Sequence, residues 1–69
     1  MKKAVLIPTL IERWYPSKKS YGWIKAYIII TPEGIELSPP FPAITSQWEI
    51  GARQFCKENG WHVIINKDS

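Results

Sequence analysis

From Tyr21 to Thr31 the chain alternates between two kinds of side chain, and no other feature narrows the choice of folds as far. The even positions Ile24, Ala26, Ile28 and Ile30 are all apolar, while the odd positions Tyr21, Trp23, Lys25, Tyr27 and Ile29 mix rings with a cation. Successive side chains of a strand point to opposite faces. The segment therefore reads as a strand with one face against a core and the other presenting a row of aromatic rings and an ammonium. Such a strand needs neighbours in a sheet and an apolar layer on its inner face.

The flanking sequence supplies both. Ala4 to Trp14, rich in Val, Leu, Ile and Thr, reads as a first strand. Pro8 inside it cannot donate to a ladder and marks a bulge or an edge. Both parities of this strand are apolar, so its core face is not assigned. Tyr15-Pro16-Ser17-Lys18-Lys19-Ser20 is a loop by composition. Thr31-Pro32-Glu33-Gly34 is a turn, with Pro presetting one dihedral and Gly34 free to be left-handed. Ile35 to Leu37 returns as a short strand, and Ser38-Pro39-Pro40-Phe41-Pro42 reads as an extended, polyproline-like connection.

A helix is predicted near residues 46–59. Ser46-Gln47-Trp48-Glu49 has the pattern of a capping box. Trp48, Ala52, Phe55 and Cys56 recur at helical spacing as one apolar stripe, and Glu49 with Arg53 suits an i,i+4 ion pair. Asn59-Gly60 is a stop signal, with Gly60 as a left-handed cap, and Trp61 to Asn66 forms a last strand. The expectation is one α+β domain over residues 1–69 in the order β-β-β-α-β. A three-stranded antiparallel meander comes first, then the helix, which brings the final strand back parallel to the first and third. The helix stripe is expected on the face of Ile24, Ala26, Ile28, Ile30, Ile35 and Leu37. One helix covers one face of a sheet. Trp23, Lys25 and Tyr27 are then expected on the open side.

At 69 residues there is room for one domain, with a core worth roughly 3–5 kcal/mol. A content of 45% hydrophobic and 22% charged residues belongs to a folded chain rather than a disordered one. Four Trp are more than so small a core can hide. The single Cys56 excludes an internal disulfide and favours a reducing compartment such as the cytoplasm. Lys2-Lys3 ahead of Ala4-Val5-Leu6-Ile7 imitates a signal peptide, but Pro8, Glu12 and Arg13 break the pattern. No segment approaches the ~20 apolar residues of a membrane span, so no membrane partner is expected.

Nothing in the chain has the pattern of a catalytic site. His62 and Cys56 are the only residues of their kinds, and zinc normally takes several at close spacing. A Cys56–His62 pair would be the one conceivable nucleophile and base. However, Cys56 sits on the apolar stripe near the helix C-terminus, where burial and the helix dipole both raise a thiol pKa. Glu33 and Glu36 straddle a turn, where solvated carboxylates are ordinary, and the glycines match no phosphate-cradling loop. The expectation is a non-enzymatic module with no metal, no cofactor and no small-molecule substrate.

Two binding functions fit the residues. Residues 1–25 hold Lys2, Lys3, Arg13, Lys18, Lys19 and Lys25 against Glu12, a net of +5, and residues 26–69 hold −2, which together give the net charge of +3. From Arg13 to Tyr27 the cations Arg13, Lys18, Lys19 and Lys25 interleave with Trp14, Tyr15, Tyr21, Trp23 and Tyr27. Cations neutralise phosphates and rings stack on exposed bases, so Arg13, Trp14, Lys18, Lys19, Tyr21, Trp23, Lys25 and Tyr27 are the candidate nucleic-acid surface. In architecture alone, a three-stranded sheet backed by one helix resembles the arm-type DNA-binding modules of phage integrases, with no residue motif carrying the likeness further. The alternative is a protein partner or a homodimer on the same aromatic face, since Trp, Tyr and Arg are the usual anchors of protein interfaces. The same rings also have a structural use, pairing across strands at about 0.2–1 kcal/mol per pair.

Overall fold

The computed structural model describes residues 2–42, 44 and 48–66. Its elements are β1 (Lys3–Tyr15), β2 (Ser20–Ile30), β3 (Glu36–Leu37), α1 (Glu49–Glu58) and β4 (His62–Ile65). They make a small α+β domain with one sheet and one helix. The sheet is not a three-stranded antiparallel meander. It has four strands in the order β3-β2-β1-β4, with β1–β2 and β2–β3 antiparallel and β4 parallel to β1. The two residues of β3 are too few to be more than a short edge.

The His62 N–H donates to the Lys2 carbonyl at 2.8 Å and the Asn66 N–H to the Leu6 carbonyl at 2.9 Å. The backbone groups of even β1 residues therefore point toward β4 and those of odd residues toward β2. Pro8 faces the β4 side, just past the last pair, Leu6↔Ile65. Its missing donor lies on the side away from β2, so the β1–β2 register runs unbroken from Val5↔Ile30 to Tyr15↔Ser20. No bulge is needed.

The second turn forms as its composition implies. The Gly34 N–H donates to the Thr31 carbonyl at 2.8 Å, with Gly34 at φ 87. Thr31 Oγ1 accepts from the Ile35 N–H at 3.0 Å. The helix C-terminus also closes as expected. The Trp61 N–H reaches the Cys56 carbonyl and the Gly60 N–H the Lys57 carbonyl, with Gly60 at φ 71.

The N-terminus differs. The N-cap is Trp48, extended at φ −84 and ψ 174 with no side-chain cap bond, and the helix begins at Glu49. Ser46 and Gln47 of the expected capping box lie outside the described residues. As N-cap, Trp48 leaves the apolar stripe and is 41% exposed, while Ala52 and Cys56 are fully buried. The expected Glu49–Arg53 pair is not formed; the Arg53 guanidinium lies 5.7 Å from the Tyr27 ring centroid instead.

The core joins Ala4, Leu6, Tyr27, Ile29, Phe41, Ile44, Ala52 and Cys56, with Leu37, Phe55, Trp61, Val63 and Ile65 packed around them. The helix therefore lies on the face of Tyr27 and Ile29, not on that of Ile28 and Ile30. Farther along β2 the buried residues are Ile24 and Ala26, on the opposite face. Burial changes parity without any slip in register. Twist is the physical reason: a two-stranded ribbon rotates more than a wide sheet, so the face turned inward changes along its length.

Among the described residues, only Lys3–Leu6 of β1 and Ile29–Ile30 of β2 have a second strand beside them. Residues 7–28 are a two-stranded ribbon that extends past the four-stranded body. The molecule measures 44 × 28 × 16 Å with a radius of gyration of 12.8 Å. A compact chain of this length would have about 11 Å.

Candidate functional site

The ribbon ends in a turn in which Lys18 N–H donates to the Tyr15 carbonyl at 3.1 Å and Lys19 N–H to the Pro16 carbonyl at 3.3 Å. Lys19 takes the left-handed conformation at φ 48. Both lysines are exposed at the tip.

Register decides which side chains share a face below the tip. The pairs Trp14↔Tyr21, Glu12↔Trp23 and Leu10↔Lys25 alternate with Arg13↔Gly22 and Ile11↔Ile24. All six residues of the first set are exposed, Tyr21 and Trp23 at 65% each. Trp14 and Tyr21 touch across the strands, their ring centroids 5.0 Å apart and their planes at 60°. That contact stabilises the ribbon near its tip. Trp23 has no ring or cation contact among the described residues.

The opposite face of the ribbon is tied down. The Tyr15 ring covers Gly22, where a Cβ would fall 2.7 Å from Tyr15 Cε2. An aromatic side chain laid over a strand glycine replaces the packing that glycine lacks. Arg13 lies 5.5 Å from the Tyr15 ring centroid and 4.5 Å from that of Trp48, so its guanidinium joins the ribbon to the start of the helix.

Of the candidate residues, Trp14, Lys18, Lys19, Tyr21, Trp23 and Lys25 therefore form or border one outward surface. Arg13 points to the other face. Tyr27 is 8% exposed within the core, so its ring is not on the outward row. Leu10 and Glu12 belong to the surface and were not singled out in the sequence. Centring the hairpin on the loop at Pro16–Lys19 gives the register that would have found them. Trp48 as the partner of Arg13 had no sequence signal, because helical spacing assigned it to the core stripe.

Charge follows the same division. Residues 7–28 carry Arg13, Lys18, Lys19 and Lys25 against Glu12, whereas the rest of the chain has five cations and five carboxylates. The whole net charge of +3 is on the ribbon.

Cys56 is fully buried and burial pushes its thiol pKa up, the opposite of nucleophile activation. His62 is exposed on β4. An open depression on the outer side of α1 is lined by Ile50, Arg53, Gln54 and Lys57, which include no carboxylate, histidine or cysteine. Among the described residues no group of three His, Cys, Asp or Glu side chains could hold a metal ion. Nor is any helix long and apolar enough to cross a membrane. No protein-family model, curated protein or solved structure matches the chain.

Proposed function

We propose that this chain is a non-enzymatic nucleic-acid-binding module that works through its ribbon. The observation that carries the reading is the coincidence of charge and exposed rings on one projecting element. The ribbon holds the entire net charge and turns Trp14, Tyr21 and Trp23 outward, with Lys18, Lys19 and Lys25 around them. Lysines neutralise phosphates and release counterions, and rings add contacts to bases. The body, neutral and packed on one helix, anchors the ribbon through the Arg13–Trp48 and Arg53–Tyr27 contacts.

A second reading rests on a different surface. The face away from the helix carries Val5, Ile30 and Ile64 on the body and Ile7 and Ile28 at the base of the ribbon by register, and Ile64 is exposed. An aliphatic face of this kind suits a protein partner. Salt separates the two readings. Nucleic-acid affinity is expected to fall steeply with salt, and Lys18→Ala and Lys19→Ala are each expected to reduce the slope of log affinity against log salt by about one. Titration of the full chain with labelled DNA and RNA at several salt concentrations measures this. No binding at low salt, or affinity independent of salt, overturns the nucleic-acid reading.

A further inference from the structure

We infer that the ribbon takes single-stranded rather than duplex nucleic acid, with adjacent bases stacked on Tyr21 and Trp23. The inference rests on the nucleic-acid reading and deepens it. Tyr21 and Trp23 lie on the same strand and the same face, two residues apart, and each is 65% exposed. At about 3.4 Å per strand residue their anchor points are about 6.8 Å apart. Bases in a duplex rise by about 3.4 Å and hide their π-faces against one another. A row of rings spaced at about twice that distance fits a stretched strand with unstacked bases and does not fit a paired one.

The surroundings of the two rings agree with this occupant. Trp14 packs against Tyr21 at a tilt of 60° rather than parallel to it, so it steadies the ring without stacking over its face. Cations bracket the rings at both ends, with Lys18 and Lys19 in the turn ahead of Tyr21 and Lys25 two residues beyond Trp23 on the same face. Glu12 faces Trp23 across the ribbon. Its carboxylate repels phosphate, so the phosphate track runs along β2, whose outer edge is unpaired over residues 20–28 among the described residues. A carboxylate at this register position can accept from an exocyclic amine, as carboxylates do from cytosine.

The test compares a labelled DNA strand of mixed sequence with the same strand annealed to its complement, both by fluorescence anisotropy with the full chain. The single strand is expected to bind at least about tenfold more tightly. Trp23→Ala is expected to weaken single-strand binding by roughly 5- to 150-fold and to leave duplex binding in place. Trp23→Phe, which keeps a stacking face, should recover most of the loss. Far-UV circular dichroism of each variant separates a lost contact from a lost fold. Duplex bound as tightly as single strand, or Trp23→Ala weakening both alike, overturns the stacking inference while leaving nucleic-acid binding standing. Binding to neither form overturns both.

Discussion

The body and the ribbon are built from one continuous pair of strands but obey different rules. In the body, Leu6, Ile29 and Cys56 are fully buried, helix and sheet close on Phe41, and charges balance. In the ribbon the outward face is open, and the net charge of the chain collects there. Packing explains the residues of the body. It does not explain Trp23, which has no ring contact among the described residues and is 65% exposed.

If that division is right, substitutions in the two regions should act on different quantities. The largest expected effect is in the body. Phe41 is buried beside Phe55, with ring centroids 5.4 Å apart. Phe41→Ala is expected to cost roughly 3–5 kcal/mol, most of the stability of so small a domain. Urea unfolding measures it, and a midpoint close to that of the parent would mean that the connection ahead of the helix is not part of the core. A smaller effect is expected at Gly60, which sits at φ 71 with open space where a Cβ would project. Gly60→Ala should therefore cost backbone strain alone, about 1–2 kcal/mol. At about 4–8 °C per kcal/mol this is readily seen in a thermal melt, and no shift would place the helix end elsewhere.

Local signals in the sequence were legible where a few neighbouring residues set the outcome. The turn at Thr31–Gly34, the helix stop at Asn59-Gly60 and the order of the elements all followed from residue types at fixed offsets. The inner face of β2 did not. Alternation with a period of two implies one inner face along the whole strand, which is right for Ile24 and Ala26 and wrong for Tyr27 and Ile29. Twist accumulates over the length of a ribbon and leaves no mark in the periodicity. For the same reason Tyr27 was grouped with Trp23, although the two rings end on opposite sides of the change. The helix start was misplaced because Ser46-Gln47-Trp48-Glu49 satisfies the capping pattern while the chain turns into the helix only at Glu49.

We propose that the outward face of the ribbon serves binding while the body serves folding. Trp23→Ala tests it most directly when its thermal melt and its affinity for a labelled single strand are measured on the same sample. The expected result is a stability within about 0.5 kcal/mol of the parent, as for a surface change that breaks no packing, together with a clear loss of strand affinity. A melt lowered as far as that of Gly60→Ala, with strand affinity unchanged, would contradict this division and make Trp23 a structural residue.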